Sequence, residues 1–141
     1  MSNLVYCRTA GSLTLFDRDG AEVGVWTAGN NVDSRVGLPH LPLGVYRFKR
    51  HAHLRHGAAH GDASAGKFGP MGIFLLEDFP YRGKWHSGVG IHSGRKNVPD
   101  GRGRQGPEHA TELCVRTTDV AMSMIHLTEM EDPLQTLTIR N

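Results

Sequence analysis

The sequence has no long apolar run. No segment approaches the roughly 18 consecutive apolar residues that a membrane-spanning helix requires, and residues 1–15 lack the charged-then-apolar order of a conventional signal peptide. We therefore expect a soluble chain without a membrane partner. The expected origin is cytoplasmic synthesis, followed by unconventional export or by trimming of a leader.

The sequence also has few cysteines and a small net charge. The two cysteines, Cys7 and Cys114, lie far apart in unlike contexts, which argues against a disulfide framework. Cys7 lies in the apolar run LVYC and is predicted to be a buried core thiol. The formal charge of +2 gives no electrostatic footprint for nucleic acid. We expect neither a nucleic-acid partner nor a cofactor.

The length and the apolar pattern predict one mainly β domain over residues 1–141. Only 38% of the residues are hydrophobic and 18 are glycine, so short apolar segments must alternate with many turns. The architecture expected from this pattern is a β-sandwich or small barrel. The predicted strands are Leu4–Arg8, Ser12–Phe16, Glu22–Thr27, Val45–Lys49, Gly72–Glu77, Gly88–His92 and Leu134–Ile139.

One helix is expected late in the chain. Residues 117–119 (TTD) offer N-cap candidates for a helix over roughly Val120–Met130, which Pro133 ends. One face of this helix carries Val120, Met124 and Leu127. Residues 50–70 and 93–110 are poor in large apolar groups and are predicted to be loops, the second of them flexible or covering a ligand.

The residues most able to carry chemistry are Cys114 and His92. Cys114 shares its segment with Arg116, and a nearby positive charge lowers the pKa of a thiol by stabilising the thiolate. His92 is predicted to lie where a strand meets a loop, and a histidine distant in sequence can serve a cysteine as its base. The alternative for Cys114 is a buried structural thiol, the commoner fate of cysteine.

Two stretches, GVGIHSGRKN and GPEHATELCVRTTDVAM, resemble the active-site signature of the L,D-transpeptidase (YkuD-like) family. That signature is a strand ending in His, a variable loop, and a Ser/Thr-x-Gly-Cys-x-Arg segment. Upstream, LTLFDRDGAEVGVWTAG and LPLGVYRF are similar to the family's opening hairpin and its Thr-Pro-x-Gly-x-Tyr strand. The resemblance runs from about Ser12 to Thr138.

The resemblance implies a cysteine enzyme of the L,D-transpeptidase type with a β-sandwich fold. Cys114 would attack the carbonyl between the third and fourth residues of a peptidoglycan stem peptide, with His92 as general base. The carbonyl of Ser93 or Gly94 would orient the imidazole. The N–H groups of Leu113 and Cys114 would stabilise the oxyanion. The acyl group would pass to an amine, as in a transpeptidase, or to water, as in an L,D-carboxypeptidase.

Further substrate contacts are expected around this pair. Arg116 would brace the catalytic loop or bind a substrate carboxylate. Arg95 and His109 are candidates for substrate binding, and a solvated loop position is the alternative for each.

The residue before the nucleophile departs from the family pattern. Leu113 stands where the family has Gly, and Glu112 where many members have His. Glycine there permits a positive φ or a close approach of substrate, which leucine resists. We expect the segment to have taken an ordinary β conformation, with the Leu113 side chain lining a substrate pocket.

Two other functions remain open from the sequence. Leu113 could block attack, which would leave a non-catalytic peptidoglycan-binding module. A cluster of four histidines in the loop, His51, His53, His56 and His60, offers ligands for a metal-dependent hydrolase.

A wall enzyme acts in the bacterial periplasm or cell wall. Without a signal peptide, this predicts an antibacterial effector, a toxin delivered by a secretion system. Its expected partners are the stem peptide and an immunity protein or a secretion-system component.

Overall fold

Short apolar segments separated by turns fold into ten strands and one α-helix in the part of the chain that the computed structural model describes, residues 1–31, 40–54 and 65–141. The helix, α1, spans Asp119–Glu131. A 3-10 turn lies at Gly106–Glu108. The strands are β1 (Ser2–Cys7), β2 (Ser12–Phe16), β3 (Glu22–Gly29), β4 (Gly44–Leu54), β5 (Ile73–Leu76), β6 (Phe79–Tyr81), β7 (Lys84–His86), β8 (Gly90–His92), β9 (Val115–Thr117) and β10 (Leu134–Arg140).

Eight of these strands close into a barrel in the order β1-β10-β4-β5-β8-β9-β3-β2, and β6 and β7 form a separate hairpin. Closure pairs every barrel strand on both sides and leaves no free edge. Two neighbouring pairs, β1–β10 and β8–β9, are parallel, and the other barrel pairs are antiparallel. The predicted mainly β fold with one α-helix is therefore confirmed, and of the two expected architectures the strands form the barrel.

Side chains that alternate along the strands fill the barrel. The sequence SLTLF of β2 buries Leu13 and Leu15 completely, as the period of two requires. Cys7 is also buried and is a free thiol, as predicted. The largest side chains of the core that are fully buried include Leu4, Leu41, Ile73, Leu76, Ile91, Met122, Ile125, Leu137 and Ile139.

Strand β4 and the β6–β7 hairpin differ from the prediction. The expected loop over residues 50–70 is wrong at its start, because β4 continues to Leu54 and pairs His53 with Phe74 of β5. The apolar pattern that predicts this strand ends at Lys49. The strand continues further because its last residues pair with β5, which is distant in the sequence. The β6–β7 hairpin was not predicted, because each of its strands has three residues.

Helix α1 begins as predicted but buries another face. The Thr118 hydroxyl caps the helix by accepting the N–H of Ala121 at 3.1 Å. The face that meets the barrel carries the buried residues Ala121, Met122 and Ile125. The face predicted from periodicity is the outer one, with its three side chains 37–65% exposed: Val120, Met124 and Leu127. No helix in the described ranges is long and apolar enough to cross a bilayer.

Candidate active site

The parallel pair β8–β9 brings Cys114 and His92 to one face of the barrel wall. Ile91 pairs with Val115 and His92 with Arg116, so Cys114 lies opposite Gly90, two residues before His92. The N–H of Gly90 points at the Cys114 Sγ atom, 3.4 Å away. Two residues along a strand and one strand across separate Cα atoms by on the order of 8 Å. The register places both side chains on the same face of the wall.

The imidazole of His92 is fixed in one tautomer. Its Nδ1 atom lies 2.8 Å from the carbonyl oxygen of Ser93. A carbonyl can only accept, so Nδ1 carries the proton and Nε2 keeps a lone pair in the neutral ring. Phe68 packs edge-on against the ring with centroids 5.0 Å apart. His92 is buried and has the protonation pattern that a general base requires.

Two glycines let the loop at residues 65–69 pack beneath this carbonyl. A Cβ on Gly69 would lie 2.0 Å from the Ser93 Oγ atom, and one on Gly94 would lie 2.3 Å from the Gly66 oxygen. Both glycines also have positive φ, 74° and 103°. The carbonyl that accepts the hydrogen bond of the imidazole belongs to Ser93, while Gly94 provides this close packing.

Cys114 is a buried thiol whose pKa is raised. Burial raises it, while the N–H of Gly90 and the charges of Arg116 and Lys67 act in the opposite direction and do not compensate. The expectation that nearby positive charge lowers this pKa is therefore wrong in its net sign. The cause is the low exposure of the side chain, 7%, which the sequence did not reveal. The resting group is a thiol that needs a base.

The Arg116 guanidinium binds backbone rather than lying open to a ligand. It donates to the carbonyl oxygens of Ser93 at 3.3 Å, His109 at 2.9 Å, Ala110 at 3.0 Å and Lys67 at 3.2 Å. Burial lowers the pKa of Arg116 to about 10, so the side chain remains charged at neutral pH. Of the two predicted roles, this geometry matches bracing of the loops around the site.

A pocket of about 350 Å³ opens over this face of the wall. Its lining includes Cys114, His92, Arg116, Arg95 and Lys67, and also the carboxylate of Glu112. Within residues 1–31, 40–54 and 65–141 the guanidinium of Arg95 has no ion-pair partner, and its Nε atom is buried without a hydrogen bond. Cations outnumber carboxylates in the lining, which suits an anionic ligand.

His109 lies in the same pocket with its Nδ1 atom against Arg116. The guanidinium Nη1 atom lies 3.1 Å from that nitrogen, and the Ala110 carbonyl lies 3.0 Å from it. The two contacts require opposite roles of Nδ1, because a guanidinium can only donate and a carbonyl can only accept. These contacts hold the ring at the edge of the pocket and leave its tautomer open.

Leu113 differs from its prediction in both backbone and side chain. Its φ is +73°, the conformation that favours glycine, so the expected β conformation is wrong. Its side chain is 3% exposed, packs in the core and is absent from the pocket lining. A leucine in this conformation costs about 1–2 kcal/mol. The burial of an apolar side chain, worth a similar amount or more, offsets that cost.

Asn30, directly after β3, is a residue of the site that the sequence did not indicate. Its side chain is 2% exposed, and its Nδ2 atom donates to the carbonyl oxygens of Leu113 at 2.8 Å and Cys114 at 2.9 Å. Thr111 also donates to the Cys114 oxygen, at 2.6 Å. An asparagine in a Gly-Asn-Asn segment is typical of a turn, and no local pattern distinguishes it.

Asp100 organises the loop between β8 and β9. Its carboxylate accepts the N–H groups of Arg102, Arg104 and Ala110 at 2.8–3.0 Å, and the Nε–H of Arg104 at 2.9 Å. Burial alone would raise the pKa of Asp100, but these hydrogen bonds hold it well below its ordinary value. The loop that carries Ala110 to the guanidinium of Arg116 therefore depends on an ionised carboxylate.

We expect Asp100→Asn to lower the free energy of unfolding at pH 7 by about 2 kcal/mol, because an amide replaces hydrogen bonds to a charged acceptor. The folded pKa of Asp100 is depressed, so its contribution is complete above the unfolded pKa near 4 and is lost as the pH falls below that value. Urea unfolding at pH 7 and pH 3 measures both chains. The free energies of unfolding of the parent chain and of Asp100→Asn should differ less at pH 3 than at pH 7. An equal difference at both pH values would contradict this account.

The histidine cluster is described only in part. The backbones of His51 and His53 lie in β4, and His56 and His60 lie outside the described residues. In the remaining described chain, no three His, Cys, Asp or Glu side chains are arranged to hold a metal.

A scan against models of known protein families finds no match, and a search of curated proteins also finds none.

Proposed function

We propose that this protein is a cysteine-dependent acyltransferase or carboxypeptidase of the L,D-transpeptidase type that acts on peptidoglycan stem peptides. One observation carries the proposal: Cys114 and a histidine whose Nδ1 proton is held by the Ser93 carbonyl line the same pocket. The resemblance of the segments around His92 and Cys114 to that family supplies the substrate class, and a mainly β barrel is compatible with it.

In the proposed acylation, Nε2 of His92 takes the Cys114 proton as the sulfur attacks the carbonyl carbon between the third and fourth stem residues. The raised pKa of the thiol couples this proton transfer to the attack. The oxyanion of the tetrahedral intermediate meets backbone N–H groups at Cys114 and Leu113. The imidazolium then protonates the leaving amine as the C–N bond breaks, which leaves a thioester. An amine or water, deprotonated by His92, resolves the thioester and restores the thiol.

The cations of the pocket are assigned to a carboxylate of the stem peptide. Arg95→Met should raise KM about 10-fold with little change in kcat, because the contact serves bound substrate and transition state alike. If the substrate carboxylate that contacts Arg95 is converted to an amide, the parent protein and Arg95→Met should bind that substrate equally. Steady-state kinetics with the two substrates tests this. The matched control is Arg102→Met, because Arg102 is an exposed arginine in the same loop between β8 and β9.

A loss confined to kcat, or an equal loss with the amidated substrate, would remove Arg95 from carboxylate binding.

The same site supports a second candidate, a non-catalytic peptidoglycan-binding module. The strained backbone at Leu113 and the raised pKa of Cys114 both favour it. Mass spectrometry after incubation with a carbapenem, which acylates the thiolate of the family that this chain resembles, separates the two. A covalent adduct on Cys114 supports the enzyme, and tight binding to sacculi without an adduct supports the module.

Digestion of purified sacculi identifies the reaction. New crosslinks between third stem residues indicate transpeptidation, and loss of the fourth residue indicates carboxypeptidase action. Unchanged muropeptides together with an unmodified Cys114 would refute the enzymatic proposal. A third candidate, a hydrolase that uses the histidine cluster, instead predicts bound zinc and loss of activity on chelation.

The proposed site of action is the bacterial periplasm or cell wall. An antibacterial effector delivered by a secretion system, with an immunity protein as partner, fits an enzyme that attacks the wall. Periplasmic expression in a susceptible bacterium tests this. Lysis that requires Cys114 is expected, and normal growth with active enzyme in the periplasm would contradict the toxin role.

A further inference from the structure

We propose that Asn30 is a positioning residue for Cys114, because its amide turns the peptide plane between Leu113 and Cys114 so that the Cys114 N–H faces the pocket. The inference rests on the proposed function, in which that N–H stabilises the oxyanion. Asn30 itself is outside the pocket lining, so we assign it an indirect role.

The orientation of the Asn30 amide is determined by its partners. Its Oδ1 atom accepts the N–H of Leu41 at 2.7 Å, and its Nδ2 atom donates to the carbonyls of Leu113 and Cys114. A flipped amide would set an oxygen against two carbonyls and an NH₂ against an N–H. The side chain is thus held by three hydrogen bonds in a buried position with no freedom to rotate.

The contact with the Leu113 carbonyl determines the direction of the next N–H. The described chain contains no cis peptide bond, and in a trans peptide the C=O and the following N–H point in opposite directions. With the Leu113 oxygen directed at Asn30, the N–H of Cys114 is directed away from it. Cys114 lines the pocket and Asn30 does not.

The left-handed turn at Leu113 explains why a clamp is needed. A φ of +73° is unfavourable for leucine. Rotation toward the β region would move the Leu113 carbonyl and the Cys114 N–H together, because both belong to one peptide plane. Asn30 opposes this by holding two successive carbonyls, and Thr111 holds the second of them from the pocket side. Asn30 and Thr111 therefore share the Cys114 carbonyl, and Asn30 also holds the Leu113 carbonyl.

Two reactions of Cys114 distinguish a loss of oxyanion stabilisation from a general distortion of the site. Acylation by a carbapenem forms an oxyanion, whereas alkylation by iodoacetamide displaces iodide and forms none. Asn30→Ala should slow acylation about 10- to 100-fold, the scale for a misplaced oxyanion donor. The rate of alkylation, measured per mole of folded chain, should change less than twofold.

The matched control is Ser2→Ala, which removes another buried hydrogen bond to backbone, from Ser2 Oγ to the Asp132 oxygen at 2.7 Å, in a part of the barrel outside the pocket lining. Both rates should stay unchanged in it. If Asn30→Ala does not fold, Thr111→Val carries the test, because it removes one donor to the Cys114 carbonyl and nearly preserves volume. It should slow acylation selectively and by a smaller factor.

Acylation at the parent rate in Asn30→Ala, or an equal slowing of acylation and alkylation, would overturn the role of Asn30 alone. In both cases the parent chain still forms the adduct, so the proposed function stands. A parent chain whose Cys114 is alkylated but never acylated would overturn the proposed function, and the role of Asn30 with it.

Discussion

Cys114→Ser is expected to abolish the covalent adduct with a carbapenem and all muropeptide turnover. Serine has nearly the same volume, so the fold should survive, but its hydroxyl is a far weaker nucleophile than a thiol with the same base. Intact mass and muropeptide analysis measure the two losses. Turnover retained in this variant would remove Cys114 from the reaction.

The natural control for this substitution is Cys7→Ser. Cys7 is the other free thiol, is buried at the end of β1, and lies 3.6 Å from the Thr9 hydroxyl, outside the pocket lining. Adduct formation and turnover should be those of the parent chain, with at most a modest loss of stability. An adduct that moves to Cys7 would show that labelling reports exposure rather than catalysis.

His92→Ala should lower the rate of acylation by about 10²–10⁴, the usual contribution of a positioned proton acceptor. The effect should be large here because burial keeps the Cys114 thiol protonated, so attack requires a base. Added to Cys114→Ser, the substitution should lower the rate little further, since the two groups act as one unit. Single-turnover acylation measured against pH gives the rate and its dependence on the base.

His86→Ala is the control for this histidine. His86 lies in β7 of the separate hairpin and bonds the Tyr81 carbonyl at 3.1 Å, so its loss should leave acylation unchanged. An unchanged rate in His92→Ala would transfer the role of base to another group, with His109 the first candidate in the pocket.

Much of the barrel follows from local patterns. Strand β2 has its predicted bounds because alternation and the following turn agree: the Asp17 carboxylate accepts the N–H groups of Asp19 and Ala21, both at 2.9 Å. Helix α1 follows from its cap in the same way. Its buried face does not, because apolar residues lie on both sides and the barrel wall decides which side is covered.

The residues of the candidate site also differ in whether a local sequence pattern predicts them. Cys114 and His92, to which the proposed chemistry is assigned, carry a recognisable pattern in the sequence, and so does Arg116, which braces the loops. Asn30 carries none, because it bonds carbonyls 83 and 84 positions away. The left-handed φ of Leu113 was also missed, since a leucine gives no signal for it. Each such contact depends on tertiary structure that no local window contains.

The parallel pairing of β8 and β9 places most of the pocket lining outside the barrel strands. Parallel neighbours require the chain to travel back along the sheet before the second strand begins. That return path is the stretch 93–114, which supplies Arg95, His109 and Glu112 to the pocket and ends at Cys114. Residues 95–112 of this path lie outside the barrel strands, so exposed positions among them, such as Arg102, can be exchanged without breaking the β8–β9 ladder. In the proposed function, many of the contacts that recognise the substrate therefore come from this connection, while the register of β8 and β9 sets the positions of His92 and Cys114.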